Sequence, residues 1–169
     1  MEILIIGSLI VALMVYASTK IKRSAAQAFE EETIETDEFY LVKPEGFLNP
    51  IGNASEFAFE AYSKDYGEED AEKLRQVHTA LTIYTGRKFT EVCKDAKRSV
   101  DKVLSEEKFG KGILLLKGEK AEKTVETQIY HKIIEDNQKI YDLQVTVLGE
   151  TREVYEERIN KLIESFHVK

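Results

Sequence analysis

The side chains with the widest chemical range in this sequence are a single cysteine, Cys93, and three histidines, His78, His131 and His167. A reactive thiolate needs a base or a cation beside it, and a metal site needs His, Cys or carboxylates at ligand spacing. Neither pattern surrounds these residues. Cys93 stands between Val92 and Lys94 on a stretch of helical period, and no second cysteine exists for a disulfide, a two-cysteine metal site or a redox pair. His78 and His131 are expected on sheet faces, and His167 just past a last helical turn, where positive charge suits the helix dipole. No serine sits in the glycine pattern of a nucleophile elbow. Gly110-Lys111-Gly112 lacks the spacing of a phosphate loop and its Mg²⁺-binding Ser or Thr, so it reads as a turn. Asp65, Glu68, Glu69 and Asp70 lack the alternating ligands and central Gly of a calcium loop and read as a solvated segment. No catalytic, cofactor-binding or metal-binding residue is therefore expected, and the chain does not read as an enzyme.

The elements that carry these side chains belong to one folded domain. The chain has 169 residues, 33% charged and 43% apolar, with two Pro and nine Gly, which is a globular balance. Its net charge is −7. An acidic body without a basic stripe offers nothing to neutralise phosphates, which excludes nucleic acid as a partner.

From Ile3 the sequence runs ILIIGSLIVALMVYAST without a charge. Roughly seventeen residues at about 1.5 Å each just cross a hydrocarbon core about 30 Å thick. Ile3, Leu4, Ile5, Ile6, Leu9, Ile10, Val11, Leu13, Met14, Val15 and Tyr16 are the expected membrane-contacting residues, with Tyr16 placed for the lipid–water boundary. A cleaved signal peptide would want a basic region before the run and a small-residue site soon after it. Only Glu2 separates Met1 from the run, and Ala26-Gln27-Ala28 lies beyond Lys20, Lys22 and Arg23. Retention as a single-pass anchor is the reading. Basic residues tend to stay on the cytoplasmic side, so Lys20, Lys22 and Arg23 place the following domain in the cytoplasm or an equivalent interior.

This divides the chain into an anchor with its basic flank (1–23), a stalk (24–37) and a soluble domain (38–169). Within the last, residues 38–43 read as a strand closed by Pro44-Glu45-Gly46, and 57–63 and 77–84 as two more strands of alternating period. Val92, Ala96, Val100, Val103 and Leu104 recur at three and four, predicting an amphipathic helix from Thr90 to about Glu107. A short strand at 113–116 follows, then two alternating runs, 124–134 and 140–148, which face each other across Glu135-Asp136-Asn137-Gln138 as a hairpin. Thr151 is a plausible N-cap for a terminal helix whose apolar stripe is Tyr155, Ile159, Leu162, Ile163 and Phe166. The order specifies an α+β fold, an antiparallel sheet flanked by helices behind an N-terminal transmembrane helix. Tyr40, Tyr62, Tyr84, Tyr130 and Tyr141 fall in its strands.

Three strings carry a family likeness: Phe39-Tyr40-Leu41-Val42-Lys43-Pro44-Glu45-Gly46-Phe47, then Tyr130-His131-Lys132 with Tyr141-Asp142-Leu143, and Ile159 to Phe166 ending Glu164-Ser165-Phe166. They resemble the opening strand and turn, the late hairpin and the final helix of the PsbP/Mog1-like family, with Phe47 where a Trp is common. The resemblance implies an α-β-α sandwich and a non-catalytic accessory or adaptor role. With the anchor, the expected partners are an integral-membrane protein complex and the lipid bilayer. A second expectation is a small-ligand or lipid pocket enclosed by the helix from Thr90 and lined by Phe57, Phe59, Leu81 and Ile83.

Overall fold

The computed structural model describes residues 13–20, 26–50, 55–122 and 124–169. Among the described residues, ten strands and two α-helices build the domain from residue 32 onward. In chain order they are β1 (Glu32–Glu35), β2 (Phe39–Lys43), β3 (Phe47–Leu48), β4 (Phe59–Ser63), β5 (Val77–Thr85), α1 (Phe89–Arg98), β6 (Lys102–Phe109), β7 (Ile113–Glu122), β8 (Val125–Asp136), β9 (Lys139–Leu148), α2 (Arg152–Ser165) and β10 (His167–Val168). A large antiparallel sheet runs in the order β3-β4-β5-β9-β8-β7-β6, and a small one in the order β1-β2-β10.

The β8–β9 hairpin forms where its alternation predicts. Its turn needs positive φ at both central residues, which Asn137 (47°) and Gln138 (66°) supply, closing Asp136 against Lys139. Strict alternation then sorts side chains between two faces. One face carries Leu81, Tyr130, Tyr141, Leu143, Val145 and Val147, covered by α2 and the small sheet through Tyr155, Ile159, Leu162, Phe166, Phe39 and Leu41. The other carries Leu114, Leu116, Ile133 and Ile140 under Val92, Cys93 and Ala96 of α1.

Four readings of the sequence are corrected. The helix from Thr90 stops at Arg98, and Val103 and Leu104 belong to β6. Ser99 ends it: its Oγ donates to Ala96 O at 2.7 Å, and Val100 then seats on Gly118, where an added Cβ would lie 2.7 Å from the valine side chain. Every residue of β6 is exposed, so the strand has no burial alternation to reveal it. The strand from Ile113 continues to Glu122 because β8 pairs along its whole length. The stalk is also partly sheet. Glu32–Glu35 pairs with β2, Ile34 packs on the core, and the acidic run around it reaches Lys43 (Glu32, 2.8 Å), Lys161 (Glu31) and Lys169 (Glu35, 2.8 Å). Finally, α2 begins after a 3-10 turn, and Thr151 Oγ1 donates back to Leu148 O instead of capping the helix.

Candidate functional site

The three strings that carry the family likeness meet at one end of α2. Ser165 Oγ accepts from the Val42 amide at 2.9 Å and donates to Leu162 O, joining the opening strand to the terminal helix. Lys132, on the face of β8 beneath α2, donates to Ile163 O and Phe166 O, both at 2.7 Å, and its ammonium lies over the Phe166 ring. A helix leaves its last carbonyls without partners and gathers negative partial charge there, so a cation at this place serves both needs. Burial holds the Lys132 pKa below the ordinary lysine value, with Glu164 opposing the shift. At the opening strand, Gly46 takes a φ of 87° after Pro44-Glu45, the conformation expected of that turn.

His131 is not isolated. Its Nδ1 lies 2.9 Å from Asp142 Oδ1 and its Nε2 lies 3.2 Å from Ser99 Oγ, which is the order of a Ser-His-carboxylate relay. The hairpin register puts His131 opposite Gln144 and Ile133 opposite Asp142, so His131 and Asp142 are diagonal neighbours on one face. That pairing was readable from the hairpin turn; Ser99 was not, because it depends on where α1 ends. The constellation is a poor acyl-transfer centre. The Ser99 hydroxyl has one hydrogen to share between Ala96 O and His131, and it sits at the carbonyl end of α1, where an oxyanion is disfavoured. It fastens the end of α1 to the sheet.

His78 is half exposed and pairs with Glu60 at 2.8 Å, and Ser55 Oγ donates to the other Glu60 oxygen at 2.7 Å. These bonds, the histidine's first, hold the Glu60 carboxyl below its ordinary value. His167 follows α2 in the expected place and stacks on Tyr40 at 4.7 Å. Cys93 is buried, which pushes its thiol pKa up and away from the reactive thiolate. Among the described residues, no three His, Cys, Asp or Glu side chains come together to hold a metal ion.

Among the described residues, the lining expected for a pocket beneath the middle helix does not lie beneath it. Phe59 and Leu81 are buried in the core under α2, Ile83 packs against that core, and α1 lies on the other side of the sheet. Open space is found instead on the face that α1 covers only in part. There a groove of about 470 Å³ is lined by Leu74, Val125, Ile129, Gln144 and Thr146, among others. A neighbouring one of about 460 Å³ is bordered by Glu68, Glu69, Asp70, Glu126 and Glu150. Gly67 lets the acidic loop close on the sheet: a Cβ there would stand 2.5 Å from Leu148 Cδ1.

Of the expected anchor, Ile3, Leu4, Ile5, Ile6, Leu9, Ile10 and Val11 lie outside the described residues, as do Lys22 and Arg23 of its flank. Residues 13–20 are helical, with Leu13, Met14, Val15 and Tyr16 each at least 60% exposed. Among the described residues, no helix is long and apolar enough to cross a membrane.

No family model matches the sequence, and no curated protein matches it. Solved structures do. The Ran-binding protein Mog1p of Saccharomyces cerevisiae superposes with a TM-score of 0.58 over 83% of this chain and 96% of its own, at 12% identity. This chain has the PsbP/Mog1-like fold. PsbP (CyanoP) from Synechocystis sp. PCC 6803 matches with a TM-score of 0.53 over 83% of this chain and 92% of its own, at 11% identity. LpqN of Mycobacterium tuberculosis, involved in cell envelope biogenesis, gives 0.55 over 83% and 91%, at 9% identity. At such identities the PsbP/Mog1-like likeness establishes architecture alone, and function has to be argued from surfaces.

Proposed function

We propose that this chain is a non-catalytic accessory protein, held at a membrane by its N-terminal apolar run, that binds and supports an integral-membrane protein complex. The observation that carries this reading is the charge-free run from Ile3, followed directly by Lys20, Lys22 and Arg23. Tethering raises the effective concentration of the domain beside any partner in the same bilayer, so modest contact surfaces suffice. The basic flank favours the cytoplasmic or equivalent side for the domain. The fold adds support, since one protein that shares it is a Ran-binding protein. The small-ligand alternative loses its motivation with the pocket, since Phe59 and Leu81 of its intended lining are core, Ile83 packs against that core and Phe57 is exposed.

The test is fractionation of cells expressing the full chain at its native level. The expected result is a pellet fraction resistant to alkaline carbonate and, after mild detergent, co-purification in fixed ratio with an integral-membrane protein. Release by carbonate would refute the anchor, and recovery of the chain alone from detergent would refute the accessory role. Impermeant labelling of a cysteine placed at exposed Val154 tests the side: protection in intact cells and labelling after lysis are expected, and labelling in intact cells would reverse the orientation.

A further inference from the structure

The far edge of the large sheet is β6, whose eight residues are all exposed. It carries Val103, Leu104 and Phe109 at 43%, 39% and 50% exposure, and no described strand pairs with its outer side. A long edge with free N–H and C=O groups is a template for another strand, and such edges are normally blunted by charge or by a bulge. Here the charges and the bulge act together differently. The register of β6 on β7 shifts between Val103 and Ser105, so Lys102 faces Glu119 while Glu107 faces Leu115. Glu119 and Leu115 share a face of β7, which places Lys102 and Glu107 on one face although five positions separate them. By the same register Val103, Glu106 and Lys108 share the opposite face.

We propose that β6 is a self-association edge, pairing antiparallel with β6 of a second copy of this chain about a two-fold axis between Leu104 and Ser105. In this register Lys102 of each copy lies opposite Glu107 of the other, and Asp101, just before the strand, lies opposite Lys108. Lys102 and Glu107 lie on a common face only because of the bulge; a regular strand would set them on opposite faces. The two-fold axis doubles each pairing, giving four complementary charge pairs. Sliding the copies by two residues in one direction brings Asp101 opposite Glu106, and in the other leaves no oppositely charged residues facing, so charge selects one register. Among the described residues Lys102 pairs with Glu119 at 3.5 Å, with both side chains well exposed, and it can reach across the new edge.

Sedimentation equilibrium of the full chain in density-matched detergent tests this. A reversible dimer is expected. Lys102→Glu and Glu107→Lys should each weaken it by about tenfold or more, because two facing pairs per dimer become repulsive. The double exchange K102E/E107K should return the affinity to within about threefold of the parent, since the pairs are restored with reversed polarity. A chain that stays monomeric, a dimer insensitive to the single reversals, or a failure of the double exchange to restore it would each overturn the proposal. These outcomes are read independently of membrane extraction and partner recovery.

Discussion

Replacing Lys132 by Met removes the ammonium that serves the last carbonyls of α2 while keeping a side chain of similar length. Its two bonds, to Ile163 O and Phe166 O at 2.7 Å, come from a charged donor, and such bonds contribute about 1.5–3 kcal/mol each. Part of that gain offsets the cost of burying the ammonium, the same burial that holds the Lys132 pKa down. The net loss expected for Lys132→Met is about 2–3 kcal/mol, with a fall in thermal midpoint of about 5–10 °C for a chain of this size. Guanidinium unfolding of the full chain in mild detergent, followed by far-ultraviolet circular dichroism, measures it, with an unchanged m-value expected.

A pH series separates this account from simple loss of packing. Because burial holds the folded-state pKa below 10.5, the folded chain releases this proton before the unfolded chain does. Between the two values the unfolded state binds more protons, so stability from Lys132 grows as the pH rises toward 10.5. The gap between parent and K132M should therefore widen on the alkaline side. A variant within about 0.5 kcal/mol of the parent would refute the capping argument, and a gap that narrows as pH rises would refute the dominance of burial over the ammonium's bonds.

Other consequences follow from single residues. His131→Ala strands the buried Asp142 without its partner and should cost about 3 kcal/mol or more, whereas Ser99→Ala should cost about 1 kcal/mol or less, both read by chemical unfolding. Equal costs for the two would contradict the latch reading. Glu60→Gln should destabilise by about 1 kcal/mol at neutral pH. The Glu60 pKa is depressed below 4.5, so its contribution is present above that value and is lost as pH falls through the folded-state pKa, and the two proteins should converge in acid. Gln138→Gly relieves a φ of 66° in the β8–β9 turn and should stabilise the fold by about 0.5–1 kcal/mol, raising the denaturant midpoint.

Legibility followed burial. Residues 77–84, 124–134 and 140–148 are legible because their apolar side chains meet a core, on both faces of the sheet in β8 and β9, and these segments form strands as expected. Tyr155, Ile159 and Leu162 reveal α2 for the same reason. The 102–109 segment has no buried face, so its apolar residues fell by coincidence at helical spacing and extended α1 on paper by two turns. Glu32–Glu35 was hidden by its charges, whose partners Lys43 and Lys169 are distant in sequence. The His131–Asp142 pair was implied by the hairpin register, but Ser99 joins it only once the helix end is known.

The same physics bears on where function resides. The fold shared with Mog1p, PsbP and LpqN at 9–12% identity is kept without sequence likeness because a core needs only apolar residues of the right volume at the right spacing. A partner is chosen by what the core does not constrain. In this chain those features are the charge-free N-terminal run, the half-covered face with Ile129 and Leu74 at its groove, and the bulged edge of β6. Exchanging core residues for others of equal volume should leave partner recovery intact, whereas charge reversals on β6 should change assembly with little effect on stability. Function in this chain is therefore to be sought at the surfaces where sequence period carries no signal.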